Sequence, residues 1–266
     1  MQIDIVLEPN ANAKTFGDLA ALAESYGIGT IWTANHPAAR DPFMTFTGVA
    51  EATTNVRMGP VAISPYEMHP LKMANALFTL EEMSQGRASI VIGGGGGTSI
   101  AMGLKGGRQD MFPKMVRGVR ECVEFIQSSG PDTLNTYEGD TWQISNYRPA
   151  WAPISKPLLY VAASQPQMLR MGAKVADGIM MSDITLPLVD EAVSIIRQSL
   201  KDHGRQEDQF RINNLYTWHV KKDREEAYRE ARRKLWVRGM LWPVYISPFL
   251  SEDETALVQK KMESFI

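Results

Sequence analysis

"SIVIGGGGGTSIAMG", Ser89 to Gly103, runs five consecutive glycines directly off a short apolar segment. Glycine turns tightly and lets a ligand approach the backbone closely. Three readings compete: a dinucleotide-binding turn, a flexible linker, or the rim of another kind of pocket. A dinucleotide fingerprint requires a helix that opens inside the glycine turn and an acidic residue at the end of the next strand. Here Gly93–Gly97 are followed by Gly103, Gly106 and Gly107, and the next helix is expected from about Pro113. The apolar segment is also the fourth strand of the chain, not the first. A linker does not follow so apolar a strand. What remains is a loop at the C-terminal end of a barrel strand, where barrel active sites are built.

The segments on either side support that placement. "IDIVL" (Ile3–Leu7), "GTIWT" (Gly29–Thr33), "VRMGPVAI" (Val56–Ile63), "RASIVI" (Arg87–Ile92), "PLLYVAA" (Pro157–Ala163), "DGIMMSD" (Asp177–Asp183) and "FRINNLYTWHV" (Phe210–Val220) read as strands. Helical patterns separate them. Thr15 and Asp18 resemble a capping box, with Leu19, Leu22, Ala23 and Tyr26 as the apolar face that follows. Pro42 and Pro70 open two further helices, the second with Met73, Leu77, Leu80 and Met83 inward. Val116, Val119, Val123 and Ile126 mark another, and "TYEGDTWQIS" (Thr136–Ser145) reads as a hairpin. Continuous apolar strands separated by helices imply a parallel sheet covered on both faces. Seven such units point to an α/β protein of the (β/α)8 TIM-barrel type in one domain, residues 1–266. The last β/α unit is missing from this sequence, which ends in an amphipathic helix, "SEDETALVQKKMESFI". An incompletely paired sheet edge invites pairing, so a homo-oligomer, most simply a dimer, is expected.

Composition sets further bounds. The 266 residues are 44% hydrophobic and 22% charged, with a net charge of −2, so no basic surface recruits nucleic acid. One cysteine, Cys122, allows no internal disulfide and suits a reducing cytoplasm. No basic-then-apolar leader and no apolar run of membrane-span length occurs, so no membrane partner is expected.

The strand ends collect Glu8; Asn35 and His36; Ser64; Gly93–Gly97; Ala163, Ser164 and Gln165; Ser182 and Asp183; and Trp218 and His219. The set has few ionisable groups and many small ones. It holds no metal-spaced cluster and no nucleophile–base pair, so no metal is expected. A site this poor in its own chemistry implies a cofactor that carries it, with a small molecule as substrate. His69 reads as a helix-start residue and His203 as a solvated helix end. Trp236–Leu250 reads as core or a subunit contact.

Several blocks resemble the luciferase-like flavin and deazaflavin oxidoreductases, and within them the methylenetetrahydromethanopterin reductase branch that uses coenzyme F420. They are "GPVAISPYEMHP" (Gly59–Pro70), "TLEEMSQGRA" (Thr79–Ala88), "IWTANH" (Ile31–His36) and "AASQPQML" with "ADGIMM" (Ala162–Leu169, Ala176–Met181). The resemblance implies hydride transfer between F420 and a small organic substrate. An FMN-dependent monooxygenase and a non-catalytic flavin-binding protein are the alternatives. It places His36 beside the cofactor ring, Val61–Ala62 on a bulge with a non-proline cis peptide behind the ring, and Ser64 near the tricycle. Gly93 and Gly94 join this cofactor set, and Ala162, Ala163, Ser164 and Gln165 receive the phosphate end. His36 and Glu8 are the catalytic candidates. Asn35 stands where the branch has an acidic residue, Val61 where it has a bulge glycine, and Gln165 where it has glycine. Glu8 lies two positions beyond the branch's glutamate, on the same strand face.

Overall fold

The computed structural model describes residues 2–95, 97–103, 107–237 and 241–263. Seven parallel strands follow one another around a curled sheet in the order in which they occur in the chain. They are β1 (Ile5–Leu7), β2 (Thr30–Ala34), β3 (Arg57–Ile63), β4 (Ser89–Ile92), β7 (Leu158–Ala162), β8 (Gly178–Ser182) and β9 (Arg211–Leu215). The hairpin expected near residue 140 is β5 (Asn135–Glu138) and β6 (Gln143–Tyr147), a separate antiparallel pair. A doubly wound sheet reverses its strand order at the binding crevice; this one never reverses. The glycine run therefore follows the central strand of a barrel-type sheet. β1 and β9 are its edges, and no eighth parallel strand occurs among the described residues.

The helices cover the outside of the curl. They are α1 (Ala13–Ser25), α2 (Pro42–Ala52), α3 (Pro70–Met83), α4 (Gly97–Ala101), α5 (Gly107–Ser128), α6 (Pro166–Val175), α7 (Leu186–Asp202), α8 (Arg224–Val237), α9 (Pro243–Ile246) and α10 (Glu252–Glu263). Strand side chains alternate between two cores. Ile90 and Ile92 of β4 pack under the helices with Phe46, Leu77 and Phe125. Val91 points into the curl with Trp32, Tyr160 and Met180. The Trp32 and Tyr160 rings meet edge to face at 5.4 Å, and burial pushes the Tyr160 phenol up to about 12. Beneath them Asp4 Oδ2 accepts from Trp32 Nε1 at 3.3 Å and from Asn213 Nδ2 at 3.0 Å. That carboxylate ties the start of the first strand to the last strand across the interior. Cys122 is free and buried, which raises its thiol pKa. Among the described residues no helix is long and apolar enough to cross a membrane.

Several sequence expectations are corrected. α1 starts at Ala13 and is capped by Asn12, whose side chain accepts from Thr15 N. Its buried face is Phe16, Gly17, Ala20 and Ala23, while Leu19, Leu22 and Tyr26 are exposed. The cause is the crossing with α2. A Cβ on Gly17 would lie 2.5 Å from Gly48 O, so the two backbones touch there and the glycine stripe, not the bulkier apolar one, sets the rotation of the helix. In α3, Met73, Leu77 and Leu80 are buried and Met83 is exposed. A helix does open inside the glycine run, at Gly97, and the next begins at Gly107 rather than Pro113; strand order, not a missing helix, excludes the dinucleotide turn. β9 stops at Leu215, leaving Trp218 and Val220 exposed beyond it. Of the 236–250 stretch, residues 238–240 lie outside the described ones; Trp242 and Phe249 are exposed and Ile246 is buried. Gly96 and Gly106 also lie outside the described residues.

The Ser84–Arg87 turn is a clamp. Gln85 and Gly86 adopt positive φ (54° and 90°) after α3 ends, which turns Arg87 back toward α2. Its guanidinium donates to Ser84 O, Thr53 Oγ1, Val56 O, Ala50 O and Thr53 O. Two of these acceptors, Ala50 O and Thr53 O, are carbonyls at the end of α2, where the helix leaves them without intrahelical donors. Glu24 accepts from the backbone N–H groups of the same connection, Thr54, Asn55 and Val56. Burial works to raise the Glu24 carboxyl, but those N–H groups, with Arg87 nearby, hold it below the usual carboxylate range. Arg87→Met leaves several carbonyls without donors. It is expected to cost about 2–4 kcal/mol and to lower Tm by roughly 5–10 °C. A thermal melt matching the wild type refutes the clamp.

Candidate functional site

The C-terminal strand ends meet at one mouth. At the end of β3 the Val61–Ala62 peptide is cis, as the resemblance implies, and the β3–β4 register shifts between Val61 and Ile63. Gly93 follows β4 and donates its N–H to Ile63 O at 3.0 Å. A Cβ placed on Gly93 would lie 3.2 Å from Ala162 Cβ and 3.4 Å from Ala62 Cβ. Ala62, Gly93 and Ala162 thus sit side by side on three neighbouring strands. They form a floor with almost no side-chain relief.

Polar groups stand around this floor. Asn35 and His36 follow β2, and Glu8 follows β1. His36 Nε2 lies 3.8 Å from Glu8 Oε2, with side chains 57% and 73% exposed. The separation is too long for a hydrogen bond, and so exposed a pair contributes little stability. The two groups that the sequence singles out for chemistry are therefore adjacent and uncommitted to the fold. Ser64 is buried, and its Oγ accepts from Tyr66 N at 3.2 Å, which closes a tight turn. Gly94 is occupied by packing: a Cβ there would lie 2.1 Å from Met115 Sδ.

Across the floor, Ala163 is buried and donates its N–H to Met180 O. Ser164 Oγ accepts from Ser182 N at 3.4 Å. Gln165 is the N-cap residue of α6 but makes no side-chain cap bond, and Pro166 occupies the first turn. The first turn of α6 therefore presents backbone donors that no cap consumes, an arrangement suited to an anion. His69 caps α3 through Nδ1, and His203 ends α7, as the sequence suggests. His219 faces Glu230 of α8 at 3.7 Å. Among the described residues no group of three or more His, Cys, Asp or Glu could hold a metal ion.

Sequence reasoning missed Glu67. It lies inside the quoted "PYEMHP" block, three residues past Ser64, and only the block's pattern drew notice. Its carboxylate accepts from Asn35 Nδ2 at 2.9 Å and from Ser99 Oγ at 2.9 Å. An acidic residue in the loop after a barrel strand was the available signal.

A family model described as luciferase-like monooxygenase matches residues 2–263. The chain belongs to that family. The 5,10-methylenetetrahydromethanopterin reductase of Archaeoglobus fulgidus is 28% identical over 233 residues, 87% of this chain and 68% of that protein. The F420-dependent glucose-6-phosphate dehydrogenase of Nakamurella multipartita is 27% identical over 246 residues, 84% of this chain and 70% of that one. Among solved structures, the coenzyme F420-dependent tetrahydromethanopterin reductase of Methanopyrus kandleri superposes with a TM-score of 0.71 at 25% identity. That match covers 85% of this chain and 68% of the other.

Gly93→Ala places a methyl group against two others at tight distances. It is expected to cost about 1–3 kcal/mol by overpacking. Adding Ala162→Gly removes one of the opposing methyls and recovers part of the loss. Denaturant midpoints of the single and double variants measure both effects. No recovery in the double variant disproves the three-strand contact.

Proposed function

We propose that this protein is an oxidoreductase that transfers a hydride between the deazaflavin coenzyme F420 and a small organic substrate. The observation that carries the reading is the floor of Ala62, Gly93 and Ala162 at the strand mouth, which any larger side chain on Gly93 would fill. The two relatives named above whose descriptions specify F420 support the choice of cofactor. When bound, the coenzyme supplies the transferable hydride.

The chain's own residues supply placement and proton control. Ala62, Gly93 and Ala162 give a flat ring a surface of backbone and methyl groups and exclude water from that face. Ala162–Gln165 and the uncapped first turn of α6 receive the phosphate end. His36 Nε2 stands at the rim where it can hold or pass a proton, with Glu8 Oε2 3.8 Å away. Holding reactants in contact is itself a large part of catalysis when the chemistry belongs to the cofactor. The protein works as a homodimer in a reducing cytoplasm on this reading. The exposed Trp218 and Val220 beyond β9 support an association surface. Light scattering at the mass of a single chain would refute the dimer.

Absorption spectra of the purified protein titrated with F420 and, separately, with FMN test the reading. Tight uptake of the deazaflavin, with turnover on a panel of small alcohols, aldehydes and imines, is the expected result. Uptake of FMN alone with oxygen consumption replaces the reading with a monooxygenase. Binding without turnover replaces it with a carrier protein. His36→Ala is expected to lower turnover by about ten- to a hundredfold, the scale of a misplaced reacting group, with Tm unchanged. Equal turnover in variant and wild type removes His36 from the site.

A further inference from the structure

We infer that Glu67 is a positioning residue for the cofactor, acting through a latch that fixes Gly95 and α4 beside the floor. The inference rests on the functional reading above. Three segments far apart in sequence meet at this one carboxylate. Asn35, after β2, donates to Oε2, and Ser99, in α4, donates to Oε1, each at 2.9 Å. Thr98 Oγ1 closes the ring by donating to Asn35 O at 3.2 Å. Both carboxylate oxygens are thus engaged, and α4 is fastened at two points, by Thr98 to the end of β2 and by Ser99 to Glu67 beyond β3.

Glu67 is itself held in place. Its N–H donates to Ser64 O at 3.0 Å, and Ser64 Oγ shapes the turn by accepting from Tyr66 N. Tyr66 in turn donates to Lys114 O of α5 and packs its ring 5.4 Å from Trp142 of the hairpin. Trp142 is pinned to α5 by its indole N–H, which donates to Gly118 O at 2.9 Å. The carboxylate therefore stands on a rigid post, and α4 is the part that it restrains. Gly95 shows how closely. Its φ is +97°, and a Cβ on it would lie 2.3 Å from Ser99 Oγ and 3.3 Å from Ser64 Oγ. The glycine loop lies directly on the latch. Such a latch contributes little core burial, since Glu67 and Asn35 are only half-buried. What it fixes is the placement of Gly95 and of α4 next to the floor residue Gly93.

Three variants test this: Glu67→Ala, Asn35→Asp, and Asn35→Asp combined with Glu67→Gln. Asn35→Asp sets two carboxylates against each other, which disfavours the closed latch. The double variant restores one donor and one acceptor with the polarity reversed. Amide hydrogen exchange of the 97–103 segment reads the latch without any cofactor. Titration with F420 reads its consequence. Glu67→Ala and Asn35→Asp are each expected to speed exchange in this segment and to weaken F420 binding about tenfold, the scale of coupling between residues in one hydrogen-bond network. The double variant should return to within about threefold of wild type. Unchanged exchange in both single variants overturns the latch. Faster exchange with unchanged F420 affinity overturns the positioning role. If wild-type protein binds no F420, the functional reading fails and the positioning role with it. Failure of either single variant to fold is answered by the double variant, whose recovery or loss decides the pairing.

Discussion

The mouth of this sheet depends on how closely three strand ends approach one another. β3, β4 and β7 run side by side, and at their ends the chain places alanine, glycine and alanine. Parallel neighbours lie about 4.8 Å apart, so the side chains on one face at these positions compete for the same space. A Cβ on Gly93 would meet the methyl groups of Ala162 and Ala62 at 3.2 Å and 3.4 Å. A side chain at the central position would make tight contacts on both sides, and the neighbouring methyls would have to give way.

The charged residues divide into two kinds. Arg87, Glu24 and Glu121 are consumed by backbone groups. Glu121 is 1% exposed and accepts from the N–H groups of Asp140, Thr141 and Trp142, which fixes the hairpin turn. Burying a charge is costly unless it is paired or hydrogen-bonded, and each of these is. Glu8 and His36 contrast with them. They stand in solvent at the mouth, joined by one loose contact, and the fold loses little if either is replaced. Glu67 is intermediate, since its bonds go to neighbouring side chains that border the site. That pattern separates groups that hold the structure from groups left available for chemistry, independently of any sequence motif.

The strand pattern was legible because β4, β7 and β8 are short apolar runs flanked by helical segments, and burial on both faces leaves no other composition. The strand-end placement of Glu8, directly after β1, and of Asn35 and His36, after β2, was legible because polar residues end each apolar run. The rotation of α1 was not. Apolar periodicity favoured the Leu19–Leu22–Tyr26 stripe, but the contact between Gly17 and Gly48 decides the rotation, and a glycine contributes nothing to a hydrophobic pattern. The helix at Gly97 was hidden because glycine is a poor helix former. Side-chain bonds from Thr98 and Ser99 to residues more than sixty and thirty positions away, respectively, tie it down. Glu67 was hidden for the same reason. Its importance lies in which partners the fold brings to it, and no local spacing encodes them.

The described glycines of the run are therefore not one motif. Gly93 leaves room between strands. Gly94 makes way for Met115 of α5. Gly95 takes a left-handed conformation that L side chains rarely adopt, and a side chain there would strike the Ser99 hydroxyl. Gly97 begins α4. At Gly93, Gly94 and Gly95 a side chain would meet a different neighbour in each case, and a phosphate-binding turn requires none of these contacts. A run that reads as a single signal in sequence is, in the fold, a path threaded between the floor, the helix behind it and the latch beside it.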